Sequence, residues 1–360
     1  MTASTRLDWI DIAKAAAIVL IVLFHTTDWF LDALLPGSQG AVVRLWNDVS
    51  ISLIPVRIPL FFLVSGLLAV SALERPWRTL TVTRFLALLW PFFVWTLLVM
   101  PFWMLRASYD DPLAILPLAV STLFFAGAHY WYLPALIVAL VIAKLTRRLP
   151  LTTLVAAALL AFSPRTVLEP LLGALPTILG VNVDRWFTFT FWFLVGCFAR
   201  PVLERIAAWP RWAAFVAVAG FGGLIAVQRT VGVLALTTAL VSIVGIIAAI
   251  LLSAWASRSP SVVRVGRYLA ARTLPIYVGH AFLFELVAVI AESSRRAGFA
   301  PSIGNTVTGV LVIPVVVIAA VAASAALYDA SRRWNFAWLY EPPARLRTRL
   351  GYWAAHHASR

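Results

Sequence analysis

The sequence predicts an all-α protein: a polytopic membrane helical bundle of about ten transmembrane helices, with cytoplasmic N- and C-termini. Three observations support this class. Hydrophobic residues make up 62% of the 360 residues and charged residues only 12%, whereas soluble domains are about half apolar and about a quarter charged. Apolar runs long enough to span a bilayer recur from one end of the chain to the other. Lys and Arg collect in alternate connecting segments, as the positive-inside rule describes.

Apolar segments along the chain define the predicted spans. They cover residues 9–30, 51–73, 84–105, 131–147, 151–166, 186–200, 211–228, 232–255, 273–292 and 307–330. The loop at residues 106–130 is punctuated by prolines and apolar in its second half, which is also typical of a short or re-entrant helix. We therefore expect one membrane-embedded domain, residues 1–335, followed by a basic cytoplasmic tail, residues 336–360.

The net charge of +14 is explained by topology. With a cytoplasmic N-terminus, about 20 of the 29 Lys and Arg lie on the inner side and about 7 on the outer side. This asymmetry argues against nucleic acid as a partner and favours a multi-pass membrane protein, with membrane lipids as a weaker charge contact. The single cysteine, Cys197, excludes an intramolecular disulfide, and the histidines lack metal-ligand spacing, so no metal is expected.

The first predicted helix carries ionisable residues that are costly in a membrane. In "DIAKAAAIVLIVLFH", residues 11–25, the spacing of Lys14 and His25 places them on one helical face, roughly 16 Å apart. Asp11 lies three residues before Lys14, and Asp28 lies three residues after His25, within reach of orienting its imidazole. Such a face lines a protein interior or a watery cavity. The alternative is that Lys14 snorkels and that Lys14 and Asp28 only mark the two interfaces.

Other polar residues of the predicted spans have both a structural and a functional interpretation. Arg57 and Arg84 are either charges at the membrane interface or ligand contacts. The pair Ser65-Gly66 is either a close helix contact or part of a site. His280 is either a neutral histidine bonded to a neighbouring helix or a reactive group.

Four stretches together resemble acyltransferase family 3, a family of integral-membrane acyltransferases. They are "WIDIAKAAAIVLIVLFH", "IPLFFLVSGLL", "HYWYLPALIV" and "TLPIYVGHAF", in the family's order over about residues 6–330. Within the family, the "DIAK…H" pattern looks most like the branch of fucose 4-O-acetylases and related cell-surface glycan O-acetyltransferases. The resemblance implies a core of about ten helices, in agreement with the hydropathy.

The resemblance also implies roles for individual residues. His25 matches the histidine regarded as catalytic, Lys14 the basic residue before it and Asp11 the acid of the same motif. Ser65 falls in the second-helix signature and His280 matches the late histidine. These are expectations for the family carried to the matching positions of this chain.

Two positions depart from the family pattern. An Arg-x-x-Arg pair often opens the third helix, but here Arg84 is followed three residues on by Ala87. Either Arg78 or another cation substitutes, or donor binding differs, or the protein is impaired. Arg57 stands where the fucose-acetylase-like branch is expected to have a histidine.

The implied reaction moves an acyl group, commonly acetyl, from cytoplasmic acyl-CoA to a hydroxyl of an extracytoplasmic sugar or glycan, in a bacterial inner membrane. The phosphates of coenzyme A require cations at a cytoplasmic mouth, where Lys14, Arg84 and Arg78 lie with Asp11. His25 is expected to act as the base for the hydroxyl or as carrier of the acyl group.

Residues beside His25 complete the expected site. Asp28 and His280 are expected to assist it in catalysis. A further set is expected to contact substrate: Arg57, Ser65, His129, Trp131 and Glu285.

Two alternatives to a membrane O-acyltransferase remain at this stage. A transporter or flippase for a glycan or small solute would use the same intramembrane charges as a translocation path, although the pair of interrupted helices typical of inverted repeats is missing from the sequence. A catalytically silent relative would explain the missing second arginine.

Overall fold

The structure, a computed structural model, describes residues 7–34, 41–107, 116–125, 128–163, 165–175, 177–298, 308–346 and 348. This part of the chain is built of helices joined by short turns and contains no strand, which confirms the predicted all-α class. The helices, in chain order, are α1 (Asp8–His25), α2 (Leu31–Leu34), α3 (Ala41–Ser52), α4 (Ile54–Leu73), α5 (Trp77–Leu80), α6 (Leu86–Ala107), α7 (Leu116–Phe125), α8 (Tyr132–Thr146), α9 (Pro150–Ala161), α10 (Arg165–Gly173), α11 (Thr177–Phe198), α12 (Arg200–Ala207), α13 (Arg211–Val231), α14 (Ala235–Ala256), α15 (Pro260–Ala270), α16 (Thr273–Arg296) and α17 (Thr308–Arg333).

Seven helical segments among the described residues are long and apolar enough to cross a membrane. They are Asp8–Phe30, Ile54–Leu73, Trp77–Arg106, Arg211–Val231, Ala235–Ala256, Thr273–Arg296 and Val310–Arg333. An eighth candidate is a pair of helices bent by 80°, Leu179–Phe198 and Arg200–Ala207. The chain is therefore a multi-pass membrane protein.

The predicted number of ten spans is not reached by these helices alone. The predicted spans at 131–147 and 151–166 form α8 and α9, which have 15 and 12 residues and are short for a bilayer. The predicted loop at 106–130 contains the short helix α7, with residues 108–115 and 126–127 outside the described part. The count of ten and the cytoplasmic placement of both termini remain predictions.

The beginning of the predicted tail packs against the bundle. A short 3-10 turn at Ala337–Leu339 offers its carbonyl groups to α6: Trp90 Nε1 donates to Trp338 O at 2.6 Å and Trp95 Nε1 to Leu339 O at 2.9 Å. Tyr340 is buried behind this turn. Of the predicted tail, residues 347 and 349–360 lie outside the described residues.

Helices α4 and α11 pack backbone to backbone at two glycines. A Cβ on Gly66 would lie 2.0 Å from the Phe193 carbonyl oxygen, and a Cβ on Gly196 would lie 2.1 Å from the Leu63 carbonyl oxygen. The Cys197 thiol donates to the Gly66 carbonyl oxygen at 3.4 Å, next to the same contact. Small residues permit this approach of membrane helices, so Gly66 is a packing residue, the structural interpretation of the "SG" pair.

Gly66→Ala is expected to force α4 and α11 apart, because no side chain but only backbone meets the new methyl group. We expect the free energy of unfolding to fall by about 1–3 kcal/mol, the usual cost of overpacking. Thermal unfolding in detergent measures this. Gly222→Ala in α13 is the matched control, since nothing lies within 4 Å of its Cβ position. Equal melting of the two variants would contradict the close contact.

Candidate active site

His25 is the last residue of α1, and the helix widens directly after it. Residues Thr26–Phe30 form a π-helical turn that leads into α2. Within this turn the Thr26 hydroxyl donates to Val22 O at 2.8 Å, so the polar side chain is satisfied inside its own helix. π-helical turns are frequent at functional sites because the extra residue redirects the side chains beyond it.

The π turn separates Asp28 from His25. In a regular helix a residue three positions on lies beneath the first, but the i→i+5 bonding of the π turn rotates it away. Asp28 does not hold the His25 imidazole, as the sequence led us to expect; that place is taken by His280. The Asp28 carboxylate lies instead at the wall of a cavity.

His25 and His280 form a hydrogen-bonded pair between α1 and α16. His25 Nδ1 lies 2.8 Å from His280 Nε2, and the two rings are nearly parallel, with centroids 5.1 Å apart and an interplanar angle of 14°. His280 is completely buried, and its Nδ1 lies 2.8 Å from the Ile276 carbonyl oxygen.

The Ile276 contact fixes the protons of both rings when they are neutral. A carbonyl oxygen only accepts, so His280 Nδ1 carries the proton and His280 Nε2 carries the lone pair. His25 must then donate from Nδ1, which leaves the lone pair of His25 on Nε2. Among the described residues no protein atom is hydrogen-bonded to this nitrogen. His25 is half-buried and presents a nitrogen whose lone pair is available as a nucleophile.

His25 lies at a cavity of about 1060 Å³, called here the larger cavity. Its wall combines aromatic and charged side chains, including Trp29, Asp28, Arg57, His129, Trp131, Glu169, Asp184, Arg185 and Phe189. The guanidinium group of Arg57 is buried, 3.4 Å from the centroid of the Phe24 ring, and donates to Ser50 O at 3.2 Å. Arg185 lies over Trp131 at 4.8 Å.

His129 and Glu285 form a second polar pair beside the first. His129 Nε2 lies 2.9 Å from Glu285 Oε1, and the His129 ring is 6.4 Å from that of His25 between centroids. Glu285 is buried and is not among the residues that line the larger cavity. Its contact with the cavity is therefore indirect, through His129.

A second cavity of about 270 Å³, called here the smaller cavity, lies on the Lys14 side. It is lined by two of the expected donor-binding residues, Lys14 and Arg84, and by Ala87, where the family pattern has a second arginine. Ser65 is also here, not beside His25, and its hydroxyl is 2.7 Å from the Tyr132 hydroxyl. Arg84 lies within a second π-helical turn, Thr81–Phe85. Of the two expected functional residues, Arg84 is thus part of such a turn and His25 directly precedes one.

Lys14 serves the fold as well as the smaller cavity. Its Nζ donates to Ala270 O, at the end of α15, at 2.9 Å. A cation at a helix C-terminus is favourable because the last carbonyl groups lack partners there. Lys14 is therefore held near the cavity and does not extend into lipid.

Tyrosine side chains lie between the two cavities, which have no lining residue in common. Tyr277 lines the smaller cavity, and its hydroxyl donates to the main-chain oxygen of His129 at 2.6 Å. Tyr130 packs beside Tyr277 and donates to Val278 O at 3.0 Å. Burial, and then the nearby Tyr277 and Glu285, raise the pKa of Tyr130 well above its ordinary value, so its hydroxyl stays protonated.

The remaining predicted residues lie outside the linings of both cavities. Asp11 is buried on α1, and Arg78 is exposed on the short helix α5. The sequence did not single out Arg185 with Asp184, which stand just before a predicted span in "NVDRW". Tyr132 and Tyr277 were not predicted as site residues either. Both lie within the quoted motifs, close in sequence to expected site residues, and this proximity of a hydroxyl group could have identified them.

The fold and the site define a class: a helical multi-pass membrane protein with a hydrogen-bonded histidine pair at the larger of two cavities. Residues 7–329 match the acyltransferase domain of acyltransferase family 3. The chain belongs to this family, and its activity class is that of a membrane acyltransferase. No curated protein and no solved structure matches the chain.

The tautomer of His25 is directly testable. In protein labelled with ¹⁵N-histidine, we expect His25 to carry its proton on Nδ1 and to leave Nε2 unprotonated, because His280 Nε2 can only accept. His280→Phe removes that acceptor and should abolish the preference, whereas Tyr130→Phe, close by in the same cluster, should preserve it. A His25 signal protonated at Nε2 in the unaltered protein would contradict the assignment.

Proposed function

We propose that the protein is an O-acyltransferase that moves an acyl group, in the first instance acetyl, from acyl-CoA to a hydroxyl of a sugar or glycan across the membrane. The observation that carries this proposal is the placement of His25 with a free Nε2 at the larger cavity, three helical turns from Lys14 at the smaller cavity. The family supplies the acyl transfer; the donor, the acceptor and the sidedness are proposed.

The smaller cavity suits the donor. It has two cations, Lys14 and Arg84, for the phosphates of coenzyme A, and a mostly apolar wall for the pantetheine arm. In the proposed orientation this side is cytoplasmic, where acyl-CoA is available. The distance from Lys14 to His25, roughly 16 Å along the helix, is comparable with an extended pantetheine arm.

The larger cavity suits the acceptor. Sugars offer hydroxyl groups to charged side chains and apolar ring faces to aromatic side chains, and this cavity presents both kinds. Trp131 and Trp29 supply aromatic surface, while Asp28, Arg57 and Arg185 supply charged groups that donate and accept hydrogen bonds. In this orientation the cavity faces the outside of a plasma membrane, and a cell-envelope glycan is the proposed acceptor.

His25 supplies the chemistry that both substrates require. A hydroxyl is a poor nucleophile until a base removes its proton, and a neutral imidazole is suited to this. The same nitrogen can instead attack the thioester and carry the acyl group. His280 supports either role, because it accepts from His25 Nδ1 and keeps the lone pair on Nε2.

The decisive measurement uses membrane vesicles and coenzyme A esters labelled in the acyl group, acetyl first, then succinyl and long-chain. Label is followed into glycan, lipid and water-soluble fractions. We expect transfer by the unaltered protein and a loss on the order of 10²–10⁴-fold in His25→Ala. Equal labelling by the two proteins with every donor would contradict the proposal.

Arg84→Gln tests the donor cavity. Loss of one charge-assisted contact to a phosphate costs about 1.5–3 kcal/mol, so we expect the KM for acyl-CoA to rise about 10- to 100-fold with a smaller effect on kcat. Arg78→Gln is the comparison. Because Arg78 is exposed and outside the cavity lining, its KM is expected to stay within about twofold of the unaltered protein. A larger effect of Arg78→Gln would assign the missing second arginine of the family pattern to Arg78.

A further inference from the structure

His129 is a second imidazole at the larger cavity. One of its ring nitrogens is hydrogen-bonded to Glu285, and the other can accept a proton. His129 donates from Nε2 to Glu285, so in the neutral ring the lone pair is on Nδ1. The ring is held by stacking on Trp29, with centroids 5.4 Å apart and an interplanar angle of 25°. The reaction described above makes no use of this group.

The surroundings of Glu285 favour its ionised form, and in that form it accepts a hydrogen bond from His129. Three donors converge on it: Arg106 at 2.7 Å, His129 at 2.9 Å and Trp103 at 3.2 Å. The Glu285 side chain is 3% exposed, so water does not compete for these bonds. An ionised carboxylate is the form that accepts from every side.

The two cavity histidines therefore have different supports. When an imidazole takes up a proton, a carboxylate on its other nitrogen stabilises the imidazolium, which is the arrangement at His129. His25 has instead a neutral, fully buried imidazole behind it, which offers no negative charge to an imidazolium. A positive charge is better accommodated on His129, whereas the uncharged His25 Nε2 remains a nucleophile.

Resting on the proposed function, we propose that the two histidines divide the reaction. His25 takes the acyl group and His129, positioned by Glu285, takes the proton of the acceptor hydroxyl. This assigns to His129 a catalytic role and to Glu285 a positioning role.

The atoms balance in two steps. First, the His25 Nε2 lone pair forms an N–C bond as the C–S bond of the thioester breaks. His25 keeps its Nδ1 proton, which stays bonded to His280 Nε2, so an acyl-imidazolium forms and coenzyme A leaves as the thiolate. Second, His129 Nδ1 removes the proton from the acceptor hydroxyl, whose oxygen bonds to the acyl carbon as the C–N bond breaks. The C–N electron pair returns to His25 Nε2. His129 then releases its proton to water and the thiolate takes one up from water, so that thioester and alcohol give ester and thiol.

The separation of the cavities fits a carrier. Donor and acceptor sites share no lining residue, and Tyr277 stands between them, bonded to the His129 main chain. An acyl group held on His25 needs only the thioester end of the donor to reach the histidine, and the two substrates need not be present together.

The test is exchange between acetyl-CoA and labelled coenzyme A, without any acceptor, by the purified full chain in lipid nanodiscs. A carrier exchanges label because its first step is reversible. We expect exchange by the unaltered protein and none by His25→Gln. His129→Gln and Glu285→Gln should keep exchange within about twofold, while transfer to envelope glycan falls on the order of 10²-fold or more in His129→Gln.

The outcomes separate this inference from the function on which it rests. Neither exchange nor glycan transfer by the unaltered protein, with any of the acyl-CoA esters, would remove the proposed function itself. Glycan transfer without exchange would overturn the carrier alone. Parallel loss of exchange and transfer in both His129→Gln and Glu285→Gln, in variants that still bind acetyl-CoA, would overturn the division of roles.

Discussion

The hydrogen bond between His280 Nδ1 and the Ile276 carbonyl oxygen sets the protons of the whole centre. It lies within α16 and is completely buried, so its direction is imposed by the main chain and not by solvent. Because it commits one nitrogen of His280 as a donor, the other must accept, and His25 must donate to it. The lone pair on His25 Nε2 at the larger cavity is therefore determined by the Ile276 carbonyl group, which acts through His280 and then His25.

Two lysine side chains inside the bundle are stabilised because their ammonium groups donate to carbonyl oxygens at the C-terminal ends of helices. Lys14 bonds to the last carbonyl of α15, and Lys144 bonds to Leu73 O and Arg75 O at the end of α4. Unpaired carbonyl groups and the negative end of the helix dipole stabilise both ammonium groups at no cost to the helices. The contact that stabilises Lys14 in the fold also fixes its position at the edge of the smaller cavity.

Much of this arrangement was predictable from sequence, and the remainder depends on contacts between distant segments. Hydropathy predicts the helical membrane class, and a three-turn spacing predicts that Lys14 and His25 share a face. The pairing of His25 with His280 joins residues 255 positions apart and arises only from the packing of α1 against α16. The displacement of Asp28 comes from a π turn, which helical periodicity does not anticipate. The support of His129 by Glu285 is likewise a contact between separate helices.

Two cavities without a common lining residue also make the proposed reaction an electrical event. In the proposed steps the sulfur takes up a proton on the side of the smaller cavity and His129 releases one on the side of the larger cavity, while the charges of thioester, alcohol and ester do not otherwise change. If the two cavities open to opposite sides of the membrane, with the larger outside, one positive charge moves outward through the bilayer field per turnover. A potential of 100 mV acts on that charge with about 2.3 kcal/mol, so an energised membrane, negative inside, would oppose acylation of the outer substrate.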